Sequence, residues 1–294
     1  MMAENFQIIR RKKLIEVAIP LEAINNAASR EKSIRHGHPS TLHLWWARRP
    51  LAASRGIIFC QLVDDPSSCI EEFQTEEEQN IERKRLFLLI EELVQWKNVN
   101  NLSLLNNAKK EISKSWKRCC LDNKNHPNAK SLFDPNKPPA LHDPFAGGGS
   151  IPAEAKRLGL ESYATDLNPI AVLINKSMID IPSRFVNKNS INPDSLNKST
   201  LLNKNPNGLK GLADDIRYFG KWMEIEAEKK IGNLYPKILI TKNLISNYPD
   251  FSPFEGKELK VSTWLWVRTI KSPNPSFAHI DVPLASTFLV SNKK

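Results

Sequence analysis

The spacing of apolar residues predicts helices in the first half of the chain. Apolar side chains recur every three or four residues, which predicts an amphipathic helix near residue 21 and a second that begins at Pro50. Two longer stripes, separated by an asparagine-rich turn at residues 98–101, predict a helical hairpin within residues 64–130. The apolar positions are Leu21, Ile24, Ala27 and Ala28; Leu51, Ile58 and Leu62; Ile81, Leu86, Leu89, Ile90, Leu93 and Val94; and Leu104, Leu105, Ala108, Ile112 and Trp116.

The pattern changes after residue 139, where short apolar runs flank a helical stripe. We expect one strand over residues 140–144 and a second over residues 161–165, with a helix between them. The elements expected further on are a polar, asparagine-rich mobile loop over residues 183–210, a helix carrying Ile216, Phe219, Met223, Ala227 and Ile231, and a hairpin of residues 261–270 with residues 282–290.

The segment between the two predicted strands has the pattern of a cofactor site. Gly147 to Gly149 follow the first strand, and the helix begins at once, with Ser150 as its expected N-cap and Gly159 as its end. Glycines let a backbone approach a ligand closely, and a helix N-terminus attracts a carboxylate or a phosphate. Asp166 ends the second strand about 20 residues later, where a carboxylate can accept hydrogen bonds from a ribose. This succession favours a nucleotide-type cofactor site over a tight turn that needs glycine for geometry alone.

The residues around the glycines limit the choice of cofactor. No Gly-Lys-Ser/Thr follows, and the spacing differs from the Gly-x-Gly-x-x-Gly of NAD and FAD sites. Asp-Pro-Phe-Ala-Gly-Gly-Gly-Ser at residues 143–150 resembles the Asp-Pro-Phe-x-Gly-x-Gly-Ser/Thr loop of amino-methyltransferases that use S-adenosylmethionine, and Asp-Leu-Asn-Pro at residues 166–169 resembles a later segment of those enzymes. The resemblance implies that Asp143 and the glycine backbone face the methionine part and that Asp166 holds the ribose. The full implied set is Asp143, Pro144, Phe145, Gly147, Gly148, Gly149, Asp166 and Asn168.

The basic residues are concentrated near the N-terminus. The net charge is +10, residues 10–55 hold ten Lys/Arg against three acids, and residues 64–92 hold ten acids against three Lys/Arg. Residues 35–50 combine three histidines, two tryptophans and three arginines, a mixture typical of phosphate contacts and base stacking. An equally weighted alternative is a buried tryptophan pair with arginines that reach solvent. The candidates for nucleic-acid binding are Arg35, Arg48, Arg49 and Arg55.

The cysteines and the apolar runs exclude other classes of protein. The four cysteines, at positions 60, 69, 119 and 120, form no Cys-x-x-Cys pair, so we expect reduced thiols and no metal site; a site on Cys119 and His126 is the less favoured alternative. No apolar run reaches the roughly 18–20 residues of a membrane span, and the N-terminus has no apolar signal core. We therefore expect a cytoplasmic protein.

Nearly the whole chain resembles a prokaryotic family of adenine-specific DNA methylases that carry a zinc-ribbon insertion. The matching stretches are residues 19–21, 38–52, 62–67, the glycine loop and Trp-Leu-Trp at 264–266. The resemblance implies an α/β fold with a Rossmann-like methyltransferase core, S-adenosylmethionine as cofactor and DNA as partner. Residues 38–51 also resemble the segment that helps to bind the cofactor methionine in DNA amino-methyltransferases, which makes His38, and less directly Arg49, further cofactor candidates.

Two motifs of that family are missing. Methylation of the adenine amine uses an Asp/Asn-Pro-Pro-Tyr/Phe loop, which accepts the hydrogens of the amine and stacks on the flipped base. The nearest imitation is residues 274–277, so Asn274 is the catalytic candidate. The same residues align better with the opening of the zinc ribbon, a pattern like Cys-Pro-Asn-Pro-x-Cys. Here the aligned residues 272–276 read Ser-Pro-Asn-Pro-Ser, and serine hydroxyls bind zinc poorly, so we expect no zinc there.

The sequence therefore predicts an incomplete methyltransferase with a helical-hairpin insertion. Its expected segments are a basic helical part (1–63), the hairpin and a linker (64–139), the cofactor-binding βαβα segment (140–182), and a loop, helix and hairpin (183–294). We expect little or no DNA methylation by this chain alone, with a separate polypeptide supplying the missing loop. RNA methylation and a non-catalytic nucleic-acid-binding remnant are the alternatives.

Overall fold

The computed structural model describes residues 8–41, 43–197, 208–261, 263 and 266–286. These residues form two compact units: one comprises the described residues up to Lys188 with Gly208 and Leu209, and the other comprises the rest. Leu42, Trp264 and Leu265 of the motif stretches lie outside the described residues. In the part of the chain that is described, no helix is both long enough and apolar enough to cross a membrane.

The first unit is mainly helical. The expected helices near residue 21, after Pro50 and in the hairpin are all confirmed. In chain order the elements are α1 (Leu14–Val17), α2 (Leu21–Glu31), α3 (Leu51–Leu62), α4 (Glu76–Leu93), α5 (Leu102–Asp122), α6 (Ala129–Leu132), β1 (Leu141–Asp143), α7 (Ser150–Arg157), β2 (Ser162–Ala164), α8 (Pro169–Asn175), a π-helical turn (Lys176–Asp180) and α9 (Ile181–Arg184).

The hairpin helices α4 and α5 share one apolar core with α1, α2, α3 and α7. Gly56 of α3 permits this packing, because a methyl group there would stand 3.1 Å from Val94 and 3.2 Å from Ile24. The predicted stripe of α4 is wrong at Ile81, which is 63% exposed because the first turns of this helix extend beyond the core. The stripe residues that are fully buried are Leu86, Ile90, Leu93, Val94, Leu104, Leu105, Ala108 and Ile112.

The segment β1–α7–β2 is a βαβ unit with two parallel strands. Leu141 pairs with Ser162, and Asp143 pairs with Ala164. Among the described residues these strands pair only with each other. The strand–helix–strand order is confirmed, whereas a larger Rossmann-like sheet stays a prediction.

The caps of α7 and α8 show how the sequence sets these helix ends. The N-cap of α7 is Gly149 and not Ser150, because Gly149 has a left-handed backbone (φ 76°) and the helix begins at the next residue. Asn168 caps α8 as expected, since its side-chain oxygen accepts the Ile170 N–H at 2.9 Å.

The second unit contains the predicted long helix and a short hairpin. The loop expected over residues 183–210 is wrong in part, because α9 ends within it and α10 lies within it. Residues 198–207 lie outside the described residues. The expected hairpin is shorter than predicted, with Ile270 paired to Val282, and residues 262 and 287–290 are not described. The elements are α10 (Pro193–Asn197), α11 (Lys210–Ile231), β3 (Ile238–Leu239), α12 (Lys242–Asn247), β4 (Glu258–Leu259), β5 (Thr269–Lys271) and β6 (Asp281–Pro283).

Candidate functional site

The glycine loop between β1 and α7 is closely packed on both sides. Gly147 has φ 49° and Gly149 has φ 76°, a region that side chains disfavour. A methyl group on Gly147 would stand 2.5 Å from the indole Nε1 of Trp45, and one on Gly149 would overlap the side-chain oxygen of Asn175. Both positions therefore require glycine for close approach as well as for conformation.

Asp166 fixes this loop from the end of β2. Its carboxylate accepts the Gly147 N–H and the Asn168 N–H, each at 2.8 Å. The hydrogen bond from Asn168 contributes most, and that from Gly147 next, to holding the pKa of Asp166 below its usual value. The side chain is therefore ionised at neutral pH. Each carboxylate oxygen keeps a second lone pair, which a ligand hydroxyl could use.

A cleft of about 670 Å³, here called the glycine cleft, opens beside the start of α7. Its volume is within the range typical of small-molecule sites, roughly 300–1,000 Å³. The structure thus brings the histidine-rich segment and the glycine loop, more than 90 residues apart in sequence, to one site. The lining includes Gly148, Gly149 and Ser150; His36, His38, Ser40, His43, Trp45 and Arg48; Trp96, Lys97 and Asn100; Lys156 and Arg157; and Ile174, Met178 and Ile179.

His38 is buried in the wall of the glycine cleft, and its ring nitrogens are both bonded to protein. Its Nδ1 lies 2.6 Å from the Arg48 guanidinium and 3.1 Å from the Ser40 amide, and both groups can only donate. Nδ1 is therefore the acceptor, and Nε2–H donates to Glu31 at 2.7 Å. Neither ring nitrogen is therefore available to a ligand, and the side chain has no solvent-exposed surface.

Glu31, which the sequence analysis did not single out, links the histidine to α3. Its carboxylate accepts the backbone N–H groups of Leu51 and Ala52, each at 2.9 Å, in the first turn of that helix. An anion at a helix N-terminus is stabilised by the unpaired amides and the helix dipole. A histidine seven residues after a glutamate is too common a spacing to have revealed this pair.

The glycine cleft is positively charged. Arg48, Lys97, Lys156 and Arg157 line it together with one acid, Glu154, whose carboxylate is already bonded to Arg55. Burial lowers the pKa of Arg157, whose Nε has no hydrogen-bond partner and lies 3.7 Å from the Glu154 carboxylate. An anionic group such as a carboxylate or phosphate would be the complementary ligand.

Asp166 itself lines a neighbouring cleft of about 440 Å³ between β2 and α8, here called the β2 cleft. Lys156 lines both clefts. Among the other predicted cofactor residues, Asp143 accepts the Phe145 N–H at 3.1 Å, and Phe145 is 85% exposed. The two clefts are thus adjacent, since they share Lys156 and Ile179 as lining residues.

The nucleic-acid candidates separate into surface and buried residues. Arg35 and Arg49 are exposed, and Arg48 is half-buried against His38. The role predicted for Arg55 is wrong, because this side chain is 2% exposed and its guanidinium is bonded to Glu154 (2.5 and 3.0 Å) and to the Leu93 carbonyl (2.7 Å).

The tryptophans of residues 35–50 do not form a buried pair. Trp45 is half-buried against the glycines, whereas Trp46 is 97% exposed. The alternative of two buried tryptophans is therefore wrong. Trp46 and Arg49 are both exposed, so the exposed part of this segment keeps a basic and aromatic character.

Asn274 lies in the second unit, in the loop between β5 and β6. Its side-chain oxygen accepts the Ser276 N–H at 3.0 Å and so caps the short 3-10 turn Pro275–Phe277. This local hydrogen bond accounts for the residue without a catalytic role. Among the described residues, no three His, Cys, Asp or Glu side chains are grouped as ligands for a metal ion.

Residues 18–89 match a family model described as a protein of unknown function (DUF1156). The matched part runs from α2 through most of α4. It includes the His38 wall of the glycine cleft and Arg55, and it ends before the glycine loop. No curated protein and no solved structure matches the chain.

Proposed function

We propose that this chain binds S-adenosylmethionine at the glycine loop and belongs to a system that methylates the adenine amine of DNA, with a Rossmann-like core around β1–α7–β2. The observation that carries the proposal is the meeting of two motifs. The glycine loop, fixed by Asp166, and the basic segment around His38 line one cleft of suitable volume. Both motifs resemble cofactor-binding parts of the same class of enzyme.

The chemistry of the cleft is consistent with this ligand. S-adenosylmethionine supplies a sulfonium methyl group and carries a carboxylate, a ribose and a planar base. The carboxylate would be held near Arg48 and Arg157 at the N-terminus of α7, where unpaired amides also attract an anion. The ribose would be held by Asp166. Because Trp45 lies on Gly147 and Gly148, a ligand on this backbone would stack on the indole or displace it.

We further propose that a separate polypeptide completes the acceptor half. The sequence has no Asp/Asn-Pro-Pro-Tyr/Phe motif, and Asn274 is occupied as a cap. The chain alone would then transfer little or no methyl group. Tritiated methyl transfer to unmethylated DNA by the purified chain would contradict this part of the proposal, and transfer to RNA would favour the RNA alternative.

Calorimetric titration with S-adenosylmethionine tests the cofactor site. We expect Asp166→Ala to weaken binding about tenfold, the effect of one lost charge-assisted hydrogen bond. Asp166→Asn separates the roles, because an amide oxygen can still accept the Gly147 N–H while the charge is lost. Asp214→Ala, which removes a partly exposed acid of the second unit, is the control.

Absence of binding by the parent chain would overturn the cofactor proposal. It would leave the non-catalytic nucleic-acid-binding remnant, which the contact of Trp45 with the glycines already favours as second candidate. In that case the indole of Trp45 occupies the space beside the glycines that the cofactor would need.

A further inference from the structure

A second large cleft lies at the C-terminal end of α3. Its volume is about 600 Å³, and it is called the basic cleft here. Gln61 and Leu62 line it, whereas Leu51 at the other end of α3 lines the glycine cleft. The two ends of this helix are about 16 Å apart at 1.5 Å per residue, so the clefts are separate sites.

Residues 8–13, which border the basic cleft, are fixed to the protein at several positions. Ile9 exchanges two backbone hydrogen bonds with the Asn123 side chain, at 2.9 and 3.0 Å. Arg11 is paired with Asp122 at 2.6 Å and with Glu71. Lys13 is paired with buried Asp64 at 2.7 Å. The Lys12 carbonyl also accepts the Asp65 N–H at 2.9 Å, and together these contacts hold the segment in place.

Two cations of this segment, Arg10 and Lys12, form no ion pair with any described residue. Both side chains are exposed and line the cleft. Glu16, the acid in the lining, accepts the Lys13 N–H at 2.7 Å. Arg11 and Lys13 line the same cleft, so four cations border it and two of them are already paired with acids.

An aromatic pair forms another wall of the basic cleft. The rings of Trp116 and Phe133 are stacked, with centroids 6.1 Å apart and an angle of 30°. The indole Nε1–H donates to the Asp134 carbonyl at 2.7 Å, which fixes the ring orientation. Both rings are half-buried and line the cleft, so part of each surface is available to a ligand.

We propose that the basic cleft binds a nucleotide unit of single-stranded nucleic acid, with a base against Trp116 and Phe133 and a phosphate at Arg10 and Lys12. Exposed cations alone would accept any polyanion. A fixed aromatic surface beside them selects a planar base, and only an unpaired strand offers the face of its base while keeping its phosphates accessible. This site needs neither S-adenosylmethionine nor the glycine loop, so it is independent of the proposed function.

Fluorescence anisotropy with labelled oligothymidylate tests the site on the full chain. We expect Arg10→Ala/Lys12→Ala to weaken binding at least about tenfold at low salt, since phosphate contacts dominate such affinity. Trp116→Leu should weaken binding by about fivefold to a hundredfold, the effect of one lost stacked base. Lys84→Ala/Lys110→Ala removes the same charge from exposed lysines of α4 and α5 and should have little effect.

Competition experiments distinguish the possible ligands of the basic cleft, which are a single strand, a duplex and a free nucleotide. Unlabelled oligothymidylate should displace the probe far better than the same sequence in a duplex. Equal competition by duplex, or equal loss in the control double variant, would overturn the proposal. AMP that binds while the oligonucleotide does not would overturn the assignment to a strand. Arg10 and Lys12 are exposed, so their variant remains informative even if Trp116→Leu fails to fold.

The outcome is distinguishable from that of the cofactor titration. Strand binding without cofactor binding would support the basic cleft and contradict the proposed function. Cofactor binding without strand binding would support the proposed function and contradict the assignment of the basic cleft.

Discussion

Arg55 and Glu154 form a buried, two-point ion pair between α3 and α7. Both side chains are almost entirely excluded from solvent. The third guanidinium nitrogen donates to the Leu93 carbonyl at the end of α4. This pair therefore attaches the helix that follows the glycine loop to the helical core.

Removing one partner of this pair should be strongly destabilising. We expect Glu154→Gln to lower the free energy of unfolding by about 3–5 kcal/mol, because it leaves the guanidinium charge buried without a counterion. Denaturant unfolding measures the loss. Arg85→Gln, which breaks a partly exposed pair with Glu82 and Glu111, should cost less than about 1 kcal/mol. Equal losses in the two variants would contradict the burial argument.

The glycine loop should tolerate alanine less well than an open turn does. Gly149 and Gly37 both have left-handed backbones, so alanine costs roughly 1–2 kcal/mol in conformation at either position. At Gly149 the methyl group would also overlap Asn175, whereas nothing lies within 4 Å at Gly37. We therefore expect Gly149→Ala to lower the melting temperature more than Gly37→Ala. A larger effect at Gly37 would show that the packing on this loop is loose.

Glu72 should contribute a pH-dependent part of the stability. The pKa of this carboxylate is lowered to about 2. The hydrogen bond from Arg118 is the largest cause, and the hydrogen bond from Lys114 acts in the same direction. A depressed folded-state pKa stabilises the protein above the unfolded value of about 4.3, and this stabilisation is lost as the pH falls towards 2.

Glu72→Gln tests this prediction, because it removes the ionisable group and keeps the size of the side chain. Because the carboxylate is partly exposed, the difference from the parent in unfolding free energy should be at most about 1 kcal/mol at neutral pH. It should shrink between about pH 4.3 and pH 2 in denaturant titrations. A difference that stays constant across this window would rule out ionisation as its source.

The Cys60 thiol should be unreactive in the folded protein. Burial raises its pKa to about 12, and the thiolate is the reactive form. Alkylation by iodoacetamide at mildly alkaline pH, followed by mass spectrometry, should modify Cys60 much more slowly than half-buried Cys119. Comparable rates in folded and urea-unfolded protein would contradict this prediction.

Local patterns were sufficient to predict most elements of the fold. The helices around Ile24, Ile58 and Ile90 and the strand–glycine–helix–strand segment depend on residues close together in sequence. The cap of α7 shows the limit, because Ser150 and Gly149 are both good N-caps and only the backbone angle at Gly149 decides between them.

Long-range pairing was not predictable in the same way. Arg55 had the appearance of a surface cation because its partner, Glu154, lies 99 residues later. The basic cleft was missed for a similar reason, because the sequence does not show which of the cations from Arg10 to Lys13 are paired with distant acids. Its aromatic wall comes from Trp116 and Phe133, which only the tertiary fold brings to these cations.

The contacts of residues 8–13 also make this segment intolerant of any change in length. Ile9 and Arg11 contact Asn123 and Asp122 at the end of α5, whereas Lys13 contacts Asp64, which follows α3. Deleting one residue between Ile9 and Lys13 would shorten the chain between these two attachment points by one Cα–Cα step of about 3.8 Å, so both could not be kept. A single deletion would therefore weaken the attachment of the segment, whereas substitutions at Arg10 or Lys12 leave these ion pairs in place.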